Sequence, residues 1–261
     1  MGHTDQGGDT ILGRFVKLGV GVNGVVIPAH LIESTLARHT FNLMAYDDDQ
    51  TYRVLLIGSA TAVRFRGREI LLATQHQLNG FDETRVGMLT DSGAYFITSG
   101  GLRAYSPRPD TDAFDIAAFD FTEPCKERPE LKKRFFNLTV GPPNVPSDHI
   151  LGVLLNGYPA IDQKYELHEG NHLGLARRQI ICLPHGQPTD QALLAVRPER
   201  SLGANSDGMS GGSAFVIQLE HQVPRAFFAG IIVRGGANAF YILKAGYVLA
   251  FLESVFPERP E

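Results

Sequence analysis

The segment that decides the fold is DGMSGGS, residues 207–213, which places Ser210 between glycines just before the apolar run AFVI of residues 214–217. A serine hydroxyl is a weak nucleophile unless a base takes its proton and hydrogen-bond donors stabilise the oxyanion that forms. Glycines adopt backbone conformations closed to other residues, so the N–H groups around Ser210 can converge on one point. The segment therefore indicates either an acyl-transfer nucleophile or an ordinary Gly-Ser turn before a strand.

Composition and charge restrict the partners of this chain. Of its 261 residues, 43% are hydrophobic and 20% are charged, which is typical of a globular protein large enough for one or two domains. The formal net charge is −4 and no dense run of Lys and Arg occurs. We therefore expect neither a nucleic acid nor a membrane surface as a partner.

The cysteine content and the first residues favour a cytoplasmic location. Only Cys125 and Cys182 occur in the chain, whereas a secreted β-protein more often carries several disulfides. A single bridge between these two cysteines stays open from sequence alone. Residues 1–10 are polar and Gly-rich without the apolar core of a secretory signal, and no apolar run reaches the length that spans a bilayer.

Short apolar runs separated by turn residues predict an all-β fold. The runs occupy residues 54–57, 60–65, 69–73, 95–98 and 116–119 in the first half, and 150–155, 179–183, 192–196, 214–219, 227–233 and 240–243 in the second. The chain then changes to a helical pattern, in which Val248, Phe251, Leu252 and Val255 share one face and Pro257 ends the helix.

Two β-rich halves around a connector predict two similar barrels. Residues 1–50 are expected to form an N-terminal extension, in which Asn23-Gly24 favours a hairpin turn and residues 28–38 favour a short helix. The remaining expected units are the first barrel at 51–125, a linker rich in Pro and charge at 126–148, the second barrel at 149–245, and the C-terminal helix and tail at 246–261.

Two further residues complete the chemistry that Ser210 requires. A serine nucleophile needs a histidine base and a carboxylate that holds this histidine in the right tautomer. His76 directly follows the apolar strand at 69–73, and Asp115 directly precedes the apolar run at 116–119. Each residue alone also fits an ordinary loop histidine or turn aspartate. The three together predict a catalytic site.

The segments around these residues resemble those of trypsin-like, chymotrypsin-fold serine peptidases, in an intracellular bacterial-type variant. GSATAV at 58–63 and ILLATQH at 70–76 are similar to the strand pair that leads to the family's catalytic histidine. DIA at 115–117 resembles its Asp-Ile-Ala segment, and GMSGGS at 208–213 resembles its Gly-x-Ser-Gly-Gly-Pro. The order His, Asp, Ser is also the family's order, unlike that of subtilisins or α/β-hydrolases. The resemblance covers residues 54–256.

This resemblance implies two antiparallel six-stranded β-barrels with the active site between them, an N-terminal extension and a C-terminal helix. It implies a serine endopeptidase that cleaves protein or peptide substrates through an acyl-enzyme intermediate, without a cofactor or a metal. Ser210 would be the nucleophile, His76 the general base, and Asp115 the group that stabilises the imidazolium. The N–H groups of Gly208 and Ser210 would form the oxyanion hole.

The resemblance also implies where the substrate binds. The expected pocket residues are Ala204, Asn205, Val233, Arg234, Gly235 and Ala239. Because Ala204 is not acidic, a Lys or Arg preference is not expected, and a small or apolar residue before the cleaved bond is favoured. Arg234 leaves an acidic preference open.

The chain departs from the family pattern at informative positions. Gln77 stands where many secreted members carry a cysteine, Ser213 replaces the usual proline, and Gln75 replaces the usual alanine. Met209 stands where secreted members have Asp or Asn, and no Ile-Val-Gly-Gly start is present. The ion pair that activates secreted zymogens therefore cannot form. The loop around Ser210 has to be held by packing or by a partner.

Two other functions stay open. The first is a catalytically silent trypsin-fold binding module. The second is a zinc metallopeptidase, because His168, Glu169 and His172 fit the H-E-x-x-H motif, whose histidines need one turn of helix between them. Gly170 and Asn171 are poor central residues for such a helix, which disfavours zinc.

Overall fold

Strands make up most of the regular structure of this protein. The computed structural model describes residues 19–46, 54–90, 95–104, 111–138, 149–166, 172–200 and 206–258. Within these ranges the strands are β1 Gly19–Val22, β2 Val25–Pro28, β3 Thr40–Tyr46, β4 Val54–Phe65, β5 Arg68–Ala73, β6 Val86–Leu89, β7 Phe96–Thr98, β8 Leu102–Ala104, β9 Ala117–Asp120, β10 Phe136–Asn137, β11 Ile150–Gly157, β12 Lys164–Glu166, β13 His172–Gly174, β14 Arg178–Pro184, β15 Leu193–Pro198, β16 Ser213–Glu220, β17 Val223–Gly235 and β18 Phe240–Lys244. The α-helices there are α1 Ile32–Ala37, α2 Pro129–Lys132 and α3 Ala245–Val255.

The second half of the chain forms a closed six-stranded antiparallel barrel. Its strand order is β16-β11-β14-β15-β18-β17, and the pairing of β16 with β17 closes the ring. Alternate side chains of β11 point to opposite sides, so Val153 and Leu155 lie in the barrel core while Leu154 packs outside it. Both sides are apolar, which explains why the sequence of β11 is a continuous apolar run.

The first half forms a curled sheet in the order β7-β6-β3-β4-β5-β9-β8, with β10 added in parallel to β4. Each strand in this order is antiparallel to its neighbours. Among the described strands, β7 and β8 at the two ends of the sheet do not pair with each other. A second apolar core packs on this sheet and includes Phe41, Leu71, Met88, Phe119 and Phe121. The all-β prediction is confirmed, with one closed six-stranded barrel, one curled sheet and a C-terminal helix.

The largest core lies between the two sheets and under the C-terminal helix. The rings of Phe136 and Phe215 meet edge to face at 5.1 Å across the junction. Val248, Phe251 and Leu252 of α3 are fully buried in the same core, so the predicted apolar face of this helix is confirmed. Within the described ranges, no helix is both long and apolar enough to cross a membrane.

The N-terminal segment contributes to both sheets. β1 and β2 form the expected hairpin, with Asn23 and Gly24 at φ 47° and 81° in its turn. β1 also pairs with β17 of the second barrel, and α1 lies in the range 28–38 predicted to be helical. Residues 40–46 fall in the expected extension, yet they form β3 in the middle of the first sheet.

β3 was not predicted from the sequence because it contains polar residues. Its Asn42 is buried because its side chain replaces a pair of strand hydrogen bonds, donating to the carbonyl of Leu89 at 3.1 Å and accepting from the N–H of Leu89 at 2.8 Å. Similarly, β10 lies within the expected linker at 126–148 but pairs with β4. Residues 139–148 of that linker and residues 1–18 lie outside the described ranges.

The two cysteines are free and buried in different cores. Cys125 lies in the core of the first sheet and Cys182 inside the second barrel, so the bridge left open by the sequence is not formed. Burial raises the pKa of the Cys125 thiol to about 11 and that of the Cys182 thiol to about 12. Both thiols are therefore protonated and poorly reactive at neutral pH.

His39 is a neutral histidine at the junction of the sheets. Its Nδ1 donates to the carbonyl of Arg134 at 2.7 Å, and its ring packs edge to face on Phe136 at 5.2 Å. Burial, with a smaller contribution from the nearby charges of Arg38 and Arg134, lowers the pKa of His39 to about 4. The folded protein therefore takes up this proton only as the pH falls to about 4.

We expect His39 to make the fold sensitive to acid. The unfolded chain takes up the proton near pH 6.5 and the folded chain only near pH 4. Neutral His39 therefore makes its full contribution to the unfolding free energy above pH 6.5. About 3 kcal/mol of that free energy is lost as the pH falls to 4. Urea unfolding at pH 7 and pH 4 should show a smaller loss of unfolding free energy in His39→Gln than in the wild type. An equal loss in both proteins would contradict this assignment.

Candidate active site

The topology of the first sheet brings His76 and Asp115 together. His76 begins a 3-10 turn shortly after β5, and Asp115 ends another just before β9. Because β5 and β9 are antiparallel neighbours with Ala73 opposite Ala117, the end of one strand lies beside the start of the other. His76 Nδ1 donates to Asp115 Oδ2 at 2.6 Å, and the backbone N–H of His76 donates to Asp115 Oδ1 at 3.1 Å.

These contacts fix the chemical state of His76. A proton on Nδ1, held by the carboxylate, leaves Nε2 with a lone pair that can act as a base. The hydrogen bond that His76 donates to Asp115 raises the pKa of His76 above 6.5, partial burial opposes this shift, and the charges of Asp115 and Asp112 add to it. About half of the His76 side chain is exposed, so a substrate can reach it.

Ser210 lies on the same cleft as His76. The cleft has a volume of about 540 Å³ and is lined by His76, Asp115, Ser210, Gly208, Val233, Arg234 and Gly235, among others. Ser210 Oγ donates to the carbonyl of Val233 at 3.5 Å, a long hydrogen bond. Among the hydrogen bonds of the described residues, none joins Ser210 Oγ to His76 Nε2, whose neighbour is Thr74 Oγ1 at 3.5 Å.

The loop before Ser210 has two backbone donors available for a ligand. The backbone hydrogen bonds of the described residues include none donated by the N–H of Gly208 or of Ser210. Both residues line the cleft. Gly208 has φ +90°, and a Cβ there would lie 2.5 Å from the carbonyl oxygen of Tyr158, so this loop shape requires glycine.

Hydrogen bonds from the first sheet hold the carbonyl groups of this loop. The N–H of Ser59 donates to the carbonyl of Ser210 at 3.1 Å, and the Ser59 hydroxyl donates to that of Gly208 at 2.6 Å. Thr61 Oγ1 donates to the carbonyl of Gly211 at 2.8 Å. Sequence reasoning missed these residues. The sequence does contain a signal for them, since Ser59 and Thr61 alternate with alanines in the buried part of β4 and so share one face.

Met209 holds the same loop from the other side. Its side chain is 1% exposed and packs in the core of the second barrel. Gly157 makes room for it, because a Cβ at that position would lie 2.7 Å from Met209 Sδ. Met209 is therefore an apolar anchor, and packing holds the loop in this chain.

The expected pocket residues are only partly described. Val233, Arg234 and Gly235 end β17 beside Ser210, and Ala239 closes the following turn by accepting from the N–H of Gly236 at 2.9 Å. Ala204 and Asn205 lie outside the described ranges.

The charge of Arg234 is already paired. Its Nη2 lies 3.0 Å from Asp112 Oδ2, and its guanidinium stacks 4.5 Å from the ring centroid of Tyr241. An acidic substrate group would have to compete with Asp112 for it.

The segment that fits the zinc motif is not helical where it is described. His172 begins β13, which pairs with β12 as a two-stranded antiparallel sheet. A strand does not place residues four apart on the same face at the spacing that one helical turn provides. His168 and Glu169 lie outside the described ranges, and the described residues contain no group of three or more His, Cys, Asp or Glu that could hold a metal.

The similarity of this chain to known proteins is confined to its overall structure. No protein-family model matches the chain, and no curated protein matches it. The crystal structure of the Rv3671c protease from M. tuberculosis, in its active form, aligns with 94% of this chain and 92% of its own. The TM-score is 0.47 and the sequence identity is 14%. The activity of this chain therefore has to be inferred from its own residues.

We expect Asp112→Asn to lower the pKa of His76. The carboxylate of Asp112 favours the imidazolium, and its removal also frees the positive charge of Arg234, which acts in the same direction. An NMR titration of the His76 ring measures this shift without any substrate. Asp162→Asn is the matched control, because Asp162 pairs with Arg178 and is not among the charges acting on His76. An unchanged or raised His76 pKa in Asp112→Asn would contradict the prediction.

Proposed function

We propose that this protein is a trypsin-like serine endopeptidase that cleaves protein or peptide substrates. The observation that carries the proposal is the pair of hydrogen bonds from His76 to the two carboxylate oxygens of Asp115. His76 and Asp115 line the same cleft as Ser210. A histidine held in this way has a fixed tautomer and a free Nε2, as a general base for serine requires. The two N–H groups of Gly208 and Ser210 supply the donors that an oxyanion needs.

The mechanism begins with a rotation of the Ser210 hydroxyl. Its long bond to the carbonyl of Val233 is weak, so the hydroxyl can turn to His76 Nε2 when a substrate enters. Ser210 Oγ attacks the peptide carbonyl while His76 takes its proton, and Asp115 stabilises the imidazolium. The oxyanion is bound by the N–H groups of Gly208 and Ser210.

The proton then returns to the substrate. His76 protonates the amine as the peptide bond breaks, which leaves an acyl group on Ser210. Water attacks the acyl group while His76 again takes a proton, and collapse of the second tetrahedral intermediate restores the Ser210 hydroxyl. No cofactor or metal enters these steps.

Several features define the expected setting of this activity. The free thiols of Cys125 and Cys182 suit a reducing compartment, in keeping with a cytoplasmic location. Because Met209 anchors the loop by packing, we expect no activation by cleavage of an N-terminal segment. A small or apolar residue before the cleaved bond remains the favoured substrate, bound near Ala204, Asn205, Val233, Gly235 and Ala239. Asp112 already neutralises Arg234, which disfavours an acidic preference.

A second candidate function is a catalytically silent binding module of the same fold. The observation in its favour is that Ser210 Oγ contacts the carbonyl of Val233 and not His76. An unreactive serine would keep this contact, whereas a catalytic serine leaves it during turnover.

We expect Ser210→Ala and His76→Ala each to lower kcat by about 10⁶-fold, because both groups act in the same proton transfer. Cleavage of a peptide library by the wild type and its loss in these variants measure this effect, with circular dichroism to show that the fold is retained. Labelling of Ser210 by a fluorophosphonate should be lost in the same variants.

Ser254→Ala is the matched control. Its hydroxyl donates to the carbonyl of Phe251 on α3, away from the residues that line the cleft. This variant should cleave and label as the wild type does. Cleavage retained by purified Ser210→Ala would disprove the nucleophile, and a folded wild-type protein that neither cleaves nor labels would favour the binding module.

A further inference from the structure

The side-chain amide of Gln77 lies between the segment that leads to His76 and the loop that carries Ser210. The Gln77 side chain is buried, with 8% of the residue exposed, directly after His76 in the chain. Its amide makes four hydrogen bonds, two at the oxygen and two at the nitrogen, which is the full capacity of a glutamine amide. A buried polar group so completely paired is held in one orientation.

One end of this amide is bonded to Thr74, which lies between β5 and His76. Gln77 Oε1 accepts from the backbone N–H of Thr74 at 2.9 Å and from the Thr74 hydroxyl at 2.8 Å. The N–H can only donate, so the amide oxygen must face it, which fixes the assignment of oxygen and nitrogen in the side chain. The Thr74 hydroxyl has a single proton, and its distance to His76 Nε2 is longer, at 3.5 Å. Gln77 therefore draws this proton away from Nε2 and leaves that lone pair free.

The other end is bonded to the nucleophile loop. Gln77 Nε2 donates to the carbonyl of Ser210 at 2.8 Å and to that of Ser59 at 3.3 Å. The Ser210 carbonyl also accepts from the N–H of Ser59, so both of its lone pairs are used. On the far side of the same peptide group, the N–H of Gly211 donates to the carbonyl of Ile232 at 2.7 Å. The plane of this peptide group, and with it the direction of the Ser210 side chain, is fixed from both sides.

The amide of Gln77 lies directly against the backbone of Gly58. A Cβ at Gly58 would lie 1.8 Å from Gln77 Nε2, and Gly58 has φ +151°. The glycine on β4 is therefore required for the glutamine to reach Ser210. The pair of Gly58 and Gln77 forms a specific cross-link between the first sheet and the loop of the second barrel.

We propose that Gln77 is a positioning residue that sets the His76 and Ser210 side chains relative to each other by joining Thr74 to the carbonyl of Ser210. This role rests on the proposed serine endopeptidase function. Gln77 touches no reacting atom in the mechanism, so its loss should lower the rate of acyl transfer rather than the binding of substrate.

The test compares two variants, each of which replaces a buried amide side chain by an apolar side chain of similar size. Gln77→Met keeps the length of the side chain and removes its hydrogen bonds. Asn42→Leu does the same at a buried amide on β3 of the first sheet, which bonds the backbone of Leu89 and not the site. In Gln77→Met, kcat and the rate of fluorophosphonate labelling should fall about 100-fold with KM unchanged, as expected for a small misplacement of reacting groups. Asn42→Leu should lose stability with both rates nearly unchanged.

A second measurement does not need catalysis. Hydrogen exchange of the Ser59 and Gly211 amides, which both hold the Ser210 peptide group, should be faster in Gln77→Met than in Asn42→Leu. If Gln77→Met does not fold, Gln77→Asn takes its place, since it keeps an amide that is one methylene too short to join Thr74 to the carbonyl of Ser210. Exchange and rates equal to those of Asn42→Leu would overturn the role of Gln77. A wild-type protein that is folded but neither labels nor cleaves would instead overturn the enzyme function, and the exchange comparison would still decide whether Gln77 holds the loop.

Discussion

The peptide group between Ser210 and Gly211 is held from both halves of the molecule, and the geometry of the site depends on it. Its carbonyl accepts from the first sheet, through the N–H of Ser59 and the side chain of Gln77, and its N–H donates to Ile232 of the second barrel. Each of these buried groups would cost about 1–3 kcal/mol if left without a partner. The loop therefore takes this shape only when the sheet and the barrel are docked against each other.

Neutral groups hold this peptide group and the loop around it. A buried charge needs a close partner to offset its desolvation, whereas small hydroxyls, amides and an apolar side chain can be satisfied locally. Ser59, Thr61 and Gln77 supply the hydrogen bonds, and Met209 fills the core beneath the loop. Negative charge is concentrated instead at Asp112 and Asp115, where it raises the basicity of His76.

The sequence was sufficient for those parts of the molecule in which short-range pattern and chain order determine contact. The pairing of Asp115 with His76 was predicted from the resemblance of the segments around them, and the structure makes the adjoining strands antiparallel neighbours. The buried face of α3 was likewise predicted from the helical spacing of its apolar residues. β3 could not be predicted in this way, because its buried Asn42 is polar. The hydrogen bonds that allow Asn42 to be buried are made with the backbone of Leu89, 47 residues away. The ion pair of Arg234 with Asp112 and the hydrogen bond of Gln77 to the Ser210 carbonyl each join residues more than 100 positions apart, so no local pattern indicates them.

The most direct measurement is a crystal structure of the fluorophosphonate adduct of the wild-type protein. The account predicts phosphorus on Ser210 Oγ and a phosphonyl oxygen about 3 Å from the N–H groups of both Gly208 and Ser210. It also predicts that Ser59, Gln77 and Ile232 keep the peptide group after Ser210 in the position seen without a ligand. An adduct on another residue, or a phosphonyl oxygen turned away from both N–H groups, would contradict the assignment of this cleft as a serine peptidase site.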